Sequence, residues 1–362
     1  MKSGPLTGVR VLEFAGIGPA PFCCMLLSDL GAEVVRVDRA GKNPGAGESI
    51  ILRGRRSIAL DLKSDAGLRT ARALSRRADI LIEGFRPGVM ERLGLGPRDL
   101  LQINPKLVFG RMTGWGQSGP MADRAGHDIN YVSLTGALHA IGLADKPVPP
   151  LNLVGDFGGG ALYLAFGVLA ALNHVRSGGE GQEVDCAMTD GSASLMSMMY
   201  SMNQNAQWAD QRRENLLDGG APFYDTYVCS DGLWISIGSL EPQFFAILVE
   251  KTGLSKQQFS VNTDRSQWPA MRVSLTQAFA TKTRSEWCSI FADSDACFAP
   301  VLSMTEAPSH PHNVARNTFV NAHGIRQAAP APRFSKTPGA IQGPPRNAGA
   351  DTDAILKDWQ ID

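Results

Sequence analysis

Near its start the chain commits to a strand, a helix and a second strand in succession, and such a unit packs into little except a parallel sheet. Val9-Arg10-Val11-Leu12-Glu13-Phe14 reads as the first strand. Ala15-Gly16-Ile17-Gly18-Pro19-Ala20-Pro21 is a turn, and Phe22 to Leu30 reads as a helix closed by Gly31 at its C-cap. Val34-Val35-Arg36-Val37-Asp38 follows as a second strand, apolar enough to be covered on both faces. This is a βαβ unit of Rossmann type. Pro21 stands where the third glycine of a dinucleotide fingerprint belongs, which disfavours a dinucleotide cofactor.

The alternation continues. Strands are expected at Ser57–Leu62, Asp79–Glu83, Leu107–Met112 and Glu183–Met188, and helices at Ala66–Arg77, Val89–Leu93 and from about Asp156 to Asn173. The pattern predicts a doubly wound α/β domain. Leu195 to about Trp208 reads as one long helix, and its Met196, Met198, Met199 and Met202 read as core before substrate pocket.

From Asn215 the composition changes. A hairpin over Tyr224–Cys229 and Leu233–Gly238 turns at Asp231-Gly232. Helices at about Glu241–Thr252, Trp268–Ala280 and Arg284–Ala292, with a last strand near Asp295–Val301, predict a smaller α+β domain. With 362 residues, more than one core is expected. The expected division is a large domain over 1–189 completed by 331–362, a connector over 190–223, a small domain over 224–312 and a return linker over 313–330.

A formal net charge of +0 argues against nucleic acid as a partner. The six cysteines form no C-x-x-C pair, so neither a zinc site nor a redox motif is indicated. Met-Lys-Ser-Gly-Pro-Leu at the start lacks a signal peptide's apolar core, and Trp359-Gln360-Ile361-Asp362 is no peroxisomal tripeptide. The longest apolar run, Ala161 to Leu172, is too short to span a bilayer. The expectation is a cytoplasmic protein without membrane partners.

Candidate chemistry concentrates between Thr113 and Gly160. His127 is presented between small and polar residues in Gly126-His127-Asp128-Ile129-Asn130-Tyr131. Asp156 stands at a helix start, before Phe157-Gly158-Gly159-Gly160. It reads as a plain N-cap, or as an acid placed where free N–H groups stabilise developing negative charge. Arg39 lies beyond the carboxyl end of the second strand, as a ligand contact or a solvated arginine. Arg53, Arg55 and Arg56 suit a phosphate, or form a solvated charge run. Glu241 heads a helix, where an acid is favoured by the dipole.

These segments together resemble the α-methylacyl-CoA racemase branch of the CaiB–BaiF type CoA-transferase family, from Pro5 to Phe334. The resemblance is carried by Asp29 to Arg39, Gly114 to Gly119, Gly126 to Tyr131, Pro150 to Gly159, Leu217 to Tyr227, Gly238 to Phe244 and Asp295 to Leu302. Gly155, directly before Asp156, departs from the family pattern.

The resemblance implies an interlocked homodimer, and a racemase acting on branched-chain acyl-CoA through an enolate. His127 and Asp156 would be the two bases. Glu241, from the other subunit, would orient His127. The start of the Asp156 helix would supply an N–H to the enolate oxygen. Arg39 would hold a CoA phosphate. Ala59, Leu60, Asp61, Leu62, Glu83, Gly84, Arg86, Gly126, Asp128, Ile129, Asn130 and Tyr131 would complete the CoA site. No metal or redox cofactor is implied. The competing reading is CoA transfer, with Asp156 as nucleophile. The histidine base opposite it favours the racemase.

Overall fold

The computed structural model describes residues 3–40, 50–256, 259, 262 and 264–361. They separate into two compact units. One comprises Met1–Ala137, Pro150–Ser197 and Arg316–Asp362, the other Leu138–Pro149 and Met198–Ala315. The short segment Leu138–Pro149 thus belongs with the second unit, although it lies inside the stretch read as the large domain.

The first unit is built on six parallel strands: β1 (Arg10–Phe14), β2 (Glu33–Asp38), β3 (Arg55–Ala59), β4 (Ile80–Glu83), β5 (Val108–Thr113) and β6 (Gln182–Ala187). Their spatial order is β3-β2-β1-β4-β5-β6, the doubly wound order. Successive strand residues point to opposite faces, and both faces are covered. Val11, Val34, Ile80, Ile82 and Val108 pack with Cys23, Leu27, Leu164 and Val168 on one side. Leu12, Phe14, Val35, Val37, Leu81 and Phe109 pack with Leu74, Ile355 and Trp359 on the other. The last two come from the C-terminal helix Thr352–Trp359, whose Asp351 accepts the Ser57 amide at 3.0 Å.

The arginines left open between phosphate ligands and a solvated charge run have another use. Arg53 is 3% exposed and its Nε donates to Asp29 at 3.0 Å; Arg55, equally buried, donates to Glu13 at 2.9 Å. Arg56 pairs with Glu33 and Asp358. A buried guanidinium left unpaired is costly, so Arg53 and Arg55 are held inside the fold by carboxylates, while Arg56 is only partly buried.

The helix after residue 150 is unusual. Leu153–Leu162 is a π-helix that runs into the α-helix Tyr163–Arg176. The 24 residues Leu153–Arg176, of mean hydropathy 1.5 in their most apolar window, are long and apolar enough by composition to cross a membrane. Counting Ala161 to Leu172 alone missed this. In the structure Leu164, Ala165, Val168, Ala171 and Leu172 are buried in the core of the sheet domain.

The helix expected from Leu195 to about Trp208 is shorter, Ser197–Gln204, and a separate helix, Met188–Leu195, precedes it, the two parted at Met196. The second buries none of its residues, and Met198 is 51% exposed. The methionines therefore do not form a core in this chain.

In the second unit, β7 (Tyr224–Val228), β8 (Trp234–Gly238) and β9 (Phe298–Pro300) make an antiparallel sheet in that order. Helices Pro242–Thr252, Trp268–Phe279 and Arg284–Phe291 share its core through Phe245, Leu248, Met271, Phe279 and Trp287. Arg212 holds Leu138–Pro149 by donating to the carbonyls of His139 and Leu143 at 2.8 and 2.7 Å. Within the segment read as a return linker, β10 (Phe319–Ala322) and β11 (Ile325–Ala328) pair as a hairpin.

Candidate active site

The strand order reverses between β2-β1 and β4-β5, and ligands of such sheets bind beyond the carboxyl ends of the strands at that point. A cavity of about 440 Å³ lies there. Phe14, Ala15, Gly16 and Ile17 after β1 line it, with Asp38 and Arg39 at the end of β2, Leu60 to Lys63 after β3, and Phe85 after β4. Apolar walls with cations at the rim suit a nucleotide and its phosphates.

Of the expected CoA ligands, Arg39, Leu60, Asp61 and Leu62 line this cavity. Ala59 ends β3 just outside the lining, and Gly84 and Arg86 flank Phe85. The Glu83 side chain is fully buried, taking the Phe85 amide at 2.6 Å and Arg111 Nε at 2.8 Å, so only its backbone is left for a ligand. Lys63 was missed by sequence reasoning. Its signal was position: a lysine directly after the segment 59–62 at the sheet edge.

Gly16 and Ile17 lead from the cavity to Gly18, and there the second part of the site begins. A Cβ on Gly18 would lie 3.3 Å from Asp156 Oδ2. Asp156 sits in the first turn of the π-helix. Wide π turns recur at functional sites, and this one has glycine at 155, 158, 159 and 160. Its amide donates to Asp128 Oδ2 at 2.6 Å, and Asn152 Nδ2 lies 3.5 Å from its own Oδ2. Phe22 and Phe157 stack beside it at 4.3 Å. Burial raises the Asp156 carboxyl above its ordinary pKa, and the Asp128 charge adds to this. Asn152 and His127 oppose both.

His127 is exposed and caps the helix Asp128–Ser133. Its amide donates to Asn130 Oδ1 at 3.0 Å, and the Asn130 amide returns to the His127 carbonyl at 2.8 Å. That exchange fixes the backbone and leaves the imidazole outward. Tyr131 closes the turn from behind by donating its hydroxyl to the Gly126 carbonyl, with its ring 4.8 Å from Trp115. A Cβ on Gly114 would meet that ring at 2.0 Å. Burial raises the Tyr131 phenol, Asp156 adds to it and Arg86 opposes it. Ile129 is 41% exposed. Asp128, expected among the CoA ligands, is 8% exposed and turned to the Asp156 amide.

Glu241 caps the helix Pro242–Thr252 in the second unit and is exposed. Among the described residues no group of three or more His, Cys, Asp or Glu is arranged to hold a metal ion. A base, a carboxyl of raised pKa, and a cavity for a long charged ligand suit proton transfer next to a carbonyl.

The family model described as CoA-transferase family III matches residues 6–352. The protein named alpha-methylacyl-CoA racemase in Mus musculus is 45% identical over 98% of this chain and 93% of its own length. The protein of that name in Homo sapiens is 42% identical over the same shares. Among solved structures, a CaiB/BaiF family protein from Brucella suis superposes with a TM-score of 0.86 over 99% of this chain and 100% of that one. At 23% identity that likeness speaks for the fold.

Proposed function

Since this chain belongs to CoA-transferase family III, we propose that it interconverts (2R)- and (2S)-2-methylacyl-CoA by 1,1-proton transfer through an enolate. The observation that carries the reading is the pairing of His127 with Asp156. Asp128 follows His127 directly and accepts the Asp156 amide at 2.6 Å, which brings the histidine near enough to act on the Asp156 carboxyl.

A thioester acidifies its α-carbon. One base removes that proton while the other, already protonated, returns one from the opposite face, and in the reverse direction the roles exchange. A carboxyl of raised pKa suits this, because the closer its pKa lies to that of a histidine, the smaller the penalty in either direction. The enolate oxygen needs a donor other than the Asp156 amide, which is committed to Asp128, or the Phe157 amide, which is bonded to the Asn152 carbonyl at 3.2 Å. Arg39 and Lys63 at the cavity rim would hold CoA phosphates, with Leu60 to Leu62 and Phe85 along the nucleotide.

The proposal includes a homodimer in which Glu241 of each chain serves the His127 of the other. Leu153, Leu162, Phe166 and Leu195 of the first unit are 47–74% exposed, an apolar surface that a second copy would cover. It also includes a cytoplasmic setting, consistent with six free cysteines.

The test supplies one epimer of a 2-methylacyl-CoA together with an added carboxylic acid. Appearance of the other epimer supports the racemase. A new CoA ester of the added acid, with C2 unchanged, would replace it by CoA transfer through Asp156.

A further inference from the structure

Two bases that act on one carbon, one taking its proton and the other delivering its own, need a fixed separation, and a buried carboxylate ties their backbones together. Asp128 follows His127 directly and begins the helix Asp128–Ser133. Its side chain points inward: Oδ2 takes the Asp156 amide at 2.6 Å, and Oδ1 is buried with no hydrogen-bond partner among the described residues. Gly155 makes this approach possible, since a Cβ there would stand 2.5 Å from Asp128 Oδ2. Gly155 is therefore the residue that admits the carboxylate.

We propose that Asp128 is a positioning residue, which sets the distance between His127 and Asp156 and places a fixed negative charge beside Asp156. The proposal rests on the racemase reading and deepens it. Asp128 fits this role better than CoA binding, because its carboxylate is buried, with Oδ2 committed to the Asp156 amide.

The charge has a consequence. Asp128 is the second cause, after burial, of the raised Asp156 pKa. Asp156 also faces His127 and Asn152, which act against the rise, and Tyr131, beside which Arg86 stands. From the neighbouring helix Pro19–Asp29 it meets the Gly18 backbone. The helix Met188–Leu195, packed on the π-helix, carries Asp190, which acts on Cys186.

The test measures kcat and KM against pH for the full-length wild type, Asp128→Asn, Asp128→Ala and Gly155→Ala, with thermal melting as the check of folding. Asp128→Asn keeps an acceptor for the amide and removes the charge. Its kcat should fall about tenfold, as expected for exchanging a charged for a neutral acceptor, with KM within about twofold. Its acid limb should move to lower pH, because Asp156 then stays ionised further down. Asp128→Ala should lose about 100-fold in kcat, the scale of a misplaced reacting group. Gly155→Ala, which pushes the carboxylate away, should lower kcat while leaving KM. An Asp128→Asn enzyme with an unmoved pH profile and unchanged kcat, or with its loss confined to KM, overturns the proposal. A wild type that neither epimerises nor exchanges the α-proton overturns the racemase reading itself.

Discussion

Gly191 meets Gly159 so closely that a Cβ on Gly191 would stand 1.8 Å from the Gly159 carbonyl oxygen. The two glycines join the helix Met188–Leu195 to the π-helix that carries Asp156. Both partners at the contact are backbone, so no side chain can give way. Gly191→Ala should destabilise the enzyme by at least about 1–3 kcal/mol, the cost of overpacking a filled site. Thermal melting checks this. A wild-type melting temperature with wild-type activity would show that the helices do not need this contact.

The pH dependence of catalysis should carry the signature of Asp156. Its pKa lies above the ordinary value, so the proton stays on to a higher pH than for a free aspartate. In the direction where Asp156 is the base, kcat should fall with decreasing pH through that raised pKa. In the other direction, where it is the acid, kcat should fall as pH rises through it. Asn152 favours the ionised form, so Asn152→Ala should shift both limbs to higher pH. Profiles measured separately from each epimer decide it.

Much of the first unit was legible. The strands near 10, 34, 80 and 108 are apolar on both faces, and both faces are covered, so periodicity and burial agree. The hairpin turned at Asp231-Gly232 was readable because the turn chemistry is local. Other features depend on partners far away in sequence. Arg53 and Arg55 stay open between a phosphate site and a solvated charge run until Asp29 and Glu13 are seen beside them. A π-helix leaves no simple periodic trace, and its glycines at 158–160 read equally well as a ligand approach. The crossing of Leu138–Pro149 into the second unit is held by Arg212, about seventy positions on, which no local pattern announces. His127 and Asp156 were both named from sequence, but the bond that relates them passes through Asp128.

Arg39 and Lys63 stand at the rim of the cavity, away from the bases. Replacing either by alanine should raise KM for the acyl-CoA roughly tenfold, the loss of a charge-assisted hydrogen bond, with kcat little changed. The same variants should bind free CoA more weakly and dephospho-CoA less differently from wild type. Unchanged KM in both would remove the rim from the CoA site.

If Glu241 serves the partner's histidine, complementation follows. Glu241→Ala and His127→Ala homodimers should each be nearly inactive. Co-expressed, they should form heterodimers with one site that is wild type at both positions, so activity should return to up to about half per heterodimer. No recovery from an isolated heterodimer would place Glu241 in the site of its own chain, or outside it.

The central claim is that His127 and Asp156 exchange the α-proton of a 2-methylacyl-CoA from opposite faces. The most direct measurement follows C2 deuterium content and C2 configuration together, in deuterated water, for wild type, His127→Ala and Asp156→Ala. The wild type should place solvent deuterium at C2 as the epimers equilibrate. Each variant should lose at least about 100-fold in epimerisation, the contribution of one acid–base group. Full epimerisation by both variants, or a wild type that leaves the C2 proton in place, would contradict it.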